Sequence, residues 1–151
     1  MTLPKVIYVM GPPGAGKGTQ ANLLAGKFGI VHFDTGKYLE QVVHDPVNKN
    51  NKTIQQERKL FDTGMLCTPR WVLKIVREKV KKLAMADLGI VFSGSPRTLF
   101  EAFGDKKNNG LIQIFEKLYG KKNTVPILLK IDPKKSVLRN TNRKVCSICS
   151  T

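Results

Sequence analysis

The residues with the most definite chemistry lie between Gly11 and Thr19, in the stretch GPPGAGKGT. Gly11, Gly14, Gly16 and Gly18 punctuate it, Pro12 and Pro13 stiffen its first turn, and Lys17 stands between the last two glycines. A loop that wraps a polyphosphate must turn its backbone N–H groups inward, which needs positive φ and close approach. Only glycine does both at low cost. Lys17 is then placed to reach the terminal phosphates, and a helix beginning near Gly16 aims the positive end of its dipole at them. The general phosphate-loop pattern has Ser or Thr directly after the lysine. Here Gly18 intervenes and the hydroxyl arrives with Thr19.

Other residue types along the chain suit the same chemistry. Phosphoryl transfer spreads negative charge over non-bridging oxygens, so it is served by positioning and by cations. Arginine forks meet phosphate with two parallel bonds and stay charged. Arg97, in SGSPRT, and Arg139 with Arg143, one helical turn apart, are the arginines in suggestive positions. A monophosphate acceptor has its second pKa near ~6 and is largely dianionic at neutral pH, so no general base is required. Cys146 and Cys149 have zinc-ligand spacing but make only half a site, and the alternative is two exposed thiols with no partners. Arg139 and Arg143 also fit a solvated helix face. Cys67 and Trp71 read as packing, and His32 and His44 as surface or core histidines.

The elements that must position these residues follow from periodicity. Residues 6–10 are an apolar run, as expected of a strand buried on both faces. Residues 19–28 read as a helix stopped by Gly29. A strand at 30–33 then leads to Asp34, a cap for a helix starting near Gly36. A polar break at 44–52 precedes a helix at 53–62. Thr68 and Pro69 open a longer helix in which Val72, Ile75, Val76, Val80, Leu83 and Ala84 recur at three- and four-residue spacing. Strands are expected at 89–93 and 125–131, and helices at 111–119 and 134–144. Strands alternating with helices predict a three-layer parallel α/β sheet with right-handed crossovers, whose ligands sit at the carboxyl ends of the strands. Residues 11–19, Asp34, Thr35, residues 93–97 and Asp132 all fall there.

At 151 residues and 41% hydrophobic content the chain suits one globular domain with a real core. No apolar run approaches membrane-spanning length and no leader pattern precedes the glycines, so the expected location is cytoplasmic. A net charge of +15 favours anionic partners. The lysines are scattered and not interleaved with aromatics, which reads as a solvated basic surface rather than a nucleic-acid footprint.

Beyond the loop, several segments carry a family resemblance in collinear order. GPPGAGKGTQ closely matches the signature of adenylate kinase and related nucleoside monophosphate kinases. FDTGKYLE, GMLCTP, GSPRT and RNTNRKVCSIC resemble further segments of that family over essentially the whole chain. The resemblance implies a P-loop nucleoside triphosphate hydrolase-like fold: a single core over residues 1–151, with a helical NMP-binding insertion at about 35–68 and the start of a zinc-type lid at about 139–151. It implies that Gly14, Ala15, Gly16, Lys17, Gly18 and Thr19 bind ATP with Arg139 and Arg143. The acceptor AMP would meet Thr35, Gly36, Met65, Leu66, Cys67, Gly94, Ser95, Pro96, Arg97 and Glu101. Lys17, Arg97, Arg139 and Arg143 would carry the catalytic charge, Thr19 would ligate Mg²⁺, and Cys146 with Cys149 would begin a structural zinc site. The implied reaction is MgATP + AMP ⇌ 2 ADP, by a monomer.

Four positions depart from the family pattern. Ser93 stands where an Asp orients the magnesium waters, leaving Asp34 or Asp132 to compensate. Glu40 replaces an arginine for the acceptor phosphate. Glu101 replaces a glutamine that reads adenine. An ionised Glu only accepts hydrogen bonds, which opens the site to guanine or another base. Ser95 replaces Phe and reshapes packing. The family continues beyond Thr151 with two more zinc ligands and further arginines, so the expectation is a fragment, a truncated reading frame or a minimal variant. Two alternatives stand beside an active kinase: a nucleotide-binding relative with little activity, and a basic nucleic-acid-binding module.

Overall fold

The computed structural model describes residues 5–142. Strand β1, Val6–Met10, sends Val6 and Tyr8 to one side and Ile7 and Val9 to the other, all four buried. That is the pattern of a strand covered on both faces. It lies between β3 (Ile90–Ser93) and β4 (Thr124–Leu128), and β3 in turn pairs with β2 (Val31–Asp34). Every pairing is parallel and the order is β2-β3-β1-β4.

Seven helices connect these strands among the described residues: α1 (Lys17–Phe28), α2 (Thr35–His44), α3 (Lys52–Asp62), α4 (Pro69–Met85), α5 (Leu99–Phe103), α6 (Leu111–Tyr119) and α7 (Pro133–Thr141). Short 3-10 turns lie at Pro46–Asn48 and Lys121–Asn123. On one face of the sheet, Tyr8, Phe33 and Phe92 pack with Val72, Val76 and Val80 of α4 and Leu111, Ile114 and Phe115 of α6. The Phe92 ring lies parallel to Phe33 and edge-on to Phe115, with centroids 5.1 Å away in both cases. On the other face, Ile7, Val9 and Val91 meet Ala21, Leu24 and Phe28 of α1. The three layers predicted from the alternation of elements are therefore present.

Local chemistry accounts for most element ends. Gly29 terminates α1 at φ 64°, and Asp34, Asn51 and Asp132 accept backbone N–H bonds at the starts of α2, α3 and α7. Three expectations need adjusting. The last strand ends at Leu128 rather than 131, and the last helix runs Pro133–Thr141 rather than 134–144. Thr68 opens α4 without a side-chain cap; instead its own N–H donates to the Glu57 carboxylate at 2.8 Å. Helix α5, five residues long and too short for a periodic signal, was not expected; Thr98 Oγ1 caps it by accepting the Glu101 N–H. At the β4 edge, Val125 and Leu128 are exposed, as are Val137 and Leu138 on α7.

Candidate active site

The chain leaves β1 at Met10, turns through residues 11–16, and enters α1 at Lys17. Gly14 and Gly16 hold φ of 74° and 83°, left-handed values that a side chain resists. At Gly14 there is a second constraint, since a Cβ there would sit 2.9 Å from the Ser136 carbonyl oxygen of α7. No side chain caps α1 and no acidic residue occupies its first turn. Its positive end therefore faces the loop without a neutralising carboxylate from its own first turn. Lys17 Nζ donates to the carbonyls of Gly11 and Pro12 at 2.9 and 3.0 Å, folding back across the loop. Helix α7 leans on the same loop, with Ser136 Oγ donating to Pro13 O at 2.6 Å and Arg139 Nη1 to Gly14 O at 3.4 Å. Arg143, Cys146 and Cys149 lie outside the described residues.

Two strands away in the sheet, β2 ends at Asp34, whose Oδ1 accepts the N–H groups of Gly36 and Lys37. Given the usual spacing of about 4.8 Å between strands, the ends of β1 and β2 stand roughly 10 Å apart across Ser93. Thr35 is 1% exposed and its Oγ1 has no hydrogen-bond partner. A buried hydroxyl left unpaired costs about 1–3 kcal/mol, so such an atom calls for an explanation. Residues that follow β3 approach this segment: a Cβ on Gly94 would lie 3.4 Å from Thr35 Cβ, and one on Gly36 would lie 3.9 Å from Arg97 Nη2. Arg97 Nε donates to Gly94 O at 2.7 Å, which steers the guanidinium while leaving its outer edge exposed.

Two buried carboxylates brace this side. Glu101 is 3% exposed and its Oε2 accepts the Arg97 N–H at 2.9 Å. Glu57, 4% exposed, holds the Thr68 N–H. Nothing in the sequence marked Glu57; a polar residue facing the core of an otherwise amphipathic α3 was the available signal. Cys67 packs beneath, with Sγ 3.7 Å from Glu57 O, and burial pushes its thiol up to about 11. It is a packing residue there, as its sequence context suggested. Met65 and Leu66, by contrast, are exposed, and so is Glu40.

For a divalent cation this end of the sheet offers the exposed hydroxyl of Thr19 and two aspartates, Asp34 and Asp132, each already capping a helix through Oδ1. That donor set fits Mg²⁺ carried in by nucleotide phosphates and does not form an all-protein cage. Among the described residues no cluster of three or more His, Cys, Asp or Glu is placed to hold a metal, so structural zinc has no support there. Nor is any described helix long and apolar enough to cross a membrane.

The family model described as adenylate kinase matches residues 9–141, from the end of β1 to the end of α7. The chain belongs to the adenylate kinase family. It is 34% identical over 143 residues to an adenylate kinase of Syntrophomonas wolfei, covering 95% of this chain and 61% of the relative. Adenylate kinases of Petrotoga mobilis and Clostridium botulinum (strain Langeland) are 32% and 33% identical, again over 95% of this chain and 60% and 61% of their own lengths. The chain thus spans about 60% of the length of these curated adenylate kinases.

Proposed function

We propose that this chain binds MgATP and AMP and catalyses reversible transfer of the γ-phosphoryl group to give two ADP. The observation that carries the reading is the pairing, at one sheet end, of an uncapped helix start behind Lys17 with the buried, unpartnered Thr35 hydroxyl, whose neighbour Gly36 is approached by the Arg97 guanidinium. The first suits a triphosphate. The second suits the phosphate of an acceptor, which would give Thr35 Oγ1 the partner it lacks. On this reading Gly14, Ala15, Gly16, Gly18 and Thr19 surround the donor phosphates. Lys17 exchanges the Gly11 and Pro12 carbonyls for phosphate oxygens, and Arg139 with Arg143 closes over them. Gly36, Gly94, Ser95, Pro96 and Arg97 surround the acceptor phosphate, with Met65, Leu66 and Cys67 along its base. Residues 35–68 form the acceptor segment and 139–151 begin a lid.

In the transfer, an acceptor phosphate oxygen forms a bond to the γ-phosphorus as the bond to the β–γ bridging oxygen breaks. Lys17 and Arg97 stabilise the charge that accumulates on either side. When Mg²⁺ is bound with ATP it would neutralise charge on the donor phosphates, and Thr19 would supply a hydroxyl to hold it. The net charge of +15 supports anionic small-molecule ligands. A monomeric, cytoplasmic enzyme that does not engage nucleic acid completes the proposal.

A coupled assay of ADP formation from ATP and AMP tests it. ADP formation that requires both nucleotides is expected; ATP binding without turnover would instead make the chain a nucleotide-binding relative. A second reading concerns the base. Because Glu101 is a buried acceptor, guanine, whose N1–H and N2–H are adjacent donors, suits that carboxylate better than adenine, which sets its one amino donor beside a ring acceptor. GMP outcompeting AMP in the same assay would establish it, and AMP preference would reject it.

A further inference from the structure

Three cations follow one another along one side of α4. Arg70, Lys74 and Arg77 are four and three residues apart, the spacing that stacks side chains on one face of a helix. With Leu73 of the same helix, Phe100 of α5 and Asn108 of the turn that follows α5, they line a hollow of about 50 Å³. A water fills roughly 10–15 Å³ of such space, so the hollow takes a small cluster of waters or one tetrahedral anion. Helix α4 packs on the face of the sheet opposite α1. None of the lining residues belongs to the donor or acceptor groups described above.

The walls of the hollow are fixed by contacts of their own. The Arg70 guanidinium lies 5.1 Å from the centre of the Phe100 ring, and its Nη2 donates to Asp105 Oδ2 at 3.1 Å. The other oxygen of Asp105 accepts the N–H groups of Lys107 and Asn108 and the Asn108 side-chain amide. Glycines close this turn: a Cβ on Gly104 would overlap the Asn108 carbonyl, and one on Gly110 the Ala102 carbonyl. Asp105 is thus committed to the turn and to Arg70. Among the described residues neither Lys74 nor Arg77 forms an ion pair with any carboxylate. Arg77 is half-buried, and its Nε is buried with no hydrogen-bond partner, a state it shares with Thr35 Oγ1. A guanidinium N–H hidden from water and left unpaired is costly to keep.

We propose that this hollow is a second anion site, holding one phosphate group, either free phosphate or the head of a small monoester. The size of a phosphate matches the space. Three positive charges against the single carboxylate of Asp105 leave the site cationic. A fork-shaped guanidinium binds two phosphate oxygens in parallel, so by turning onto the phosphate Arg77 gains the acceptor its Nε lacks. Lys74, exposed at the rim, adds a point charge, and Arg70 is already held in place by Asp105 and Phe100. A chloride ion, with no second acceptor atom, cannot engage the fork in this way.

The test is NMR of the full chain carrying Lys17→Met, a background that keeps the result independent of the phosphate-loop reading. Backbone amide and arginine Nε–H shifts are followed as inorganic phosphate is added, against sodium chloride at equal ionic strength. Saturable shifts are expected at the Arg77 Nε–H and at the Phe100 and Asn108 amides, with phosphate and not with chloride. Lys74→Gln and Arg77→Gln should each weaken phosphate about ten-fold, the scale of a hydrogen bond to a charged group. Arg77→Lys, which keeps the charge and loses the fork, should lose most of that affinity too. If the Arg77 variants do not fold, Lys74→Gln, at an exposed position, carries the test. Repeating the titration with glycerol phosphate separates the sources: tighter binding assigns the site to a monoester, weaker binding to the free anion. The inference is overturned if chloride produces the same shifts, if the shifts do not saturate, or if Lys74→Gln binds phosphate as tightly as its parent.

Discussion

The phosphate loop and the acceptor side share the carboxyl end of one sheet, but their polar groups are in opposite states. In the loop, side chains satisfy backbone: Lys17 bonds to Gly11 and Pro12, Ser136 to Pro13, Arg139 to Gly14. Around Thr35 the scaffold is satisfied by two buried carboxylates, and one buried hydroxyl is not. The difference implies two kinds of recognition. A donor nucleotide must displace bonds that the loop makes with itself, so its affinity comes from charge that exceeds what carbonyls offer. An acceptor instead adds a partner to an atom that has none.

The largest expected effect is on the loop. Lys17→Met should weaken ATP binding roughly 10- to 100-fold, the range for losing charge-assisted hydrogen bonds, with little change in the unfolding midpoint. Next comes the scaffold of the acceptor side. Glu57→Ala strands the Thr68 N–H and should cost about 1–3 kcal/mol in chemical denaturation, while ATP affinity in the presence of Mg²⁺ stays as it was. Thr35→Val separates scaffold from ligand contact. It removes an unpaired hydroxyl, so stability should hold or rise slightly, yet AMP affinity should fall about five-fold. A loss of stability in Thr35→Val would mean that the hydroxyl has a structural partner and would erase the contrast.

Smaller effects sharpen the outline. His32 has a folded pKa below its unfolded value near 6.5, so the unfolded chain binds the extra proton first. The stability it contributes is complete above about pH 6.5 and is lost as pH falls through the lower folded value. His32→Gln should flatten that part of a pH–stability curve measured by denaturant titration. Least of all, Leu138→Ser on the exposed face of α7 should change stability by under about 0.5 kcal/mol.

How far the sequence anticipates this structure depends on how local each feature is. The loop was readable because glycine positions encode backbone conformation directly: the expected left-handed turns appear at Gly14 and Gly16. Strands β1 and β3 and helix α4 were readable because their apolar runs and periods are strong and end at Gly, Pro or polar residues. The long-range bonds were not, since Glu57 meets Thr68 and His32 meets Ser93 only after the chain folds back across 11 and 61 residues. Glu101 was singled out for its place in GSPRTLFE, but its bond to the Arg97 N–H depends on the unforeseen α5. Asp34 was expected to cap the helix that follows it and does so, while Asp132 caps α7 in the same way without having been read as a cap.

The claim on which the rest depends is that the amides of residues 14–19 receive a nucleotide's phosphates. Backbone amide shifts of the full chain, followed by NMR as ATP is added with Mg²⁺, test it directly. The account predicts that the largest changes fall on Gly14, Ala15, Gly16, Lys17, Gly18 and Thr19 and saturate with one ATP per chain. Changes confined to the exposed lysines and arginines of α4, growing without saturation and vanishing with added salt, would contradict it.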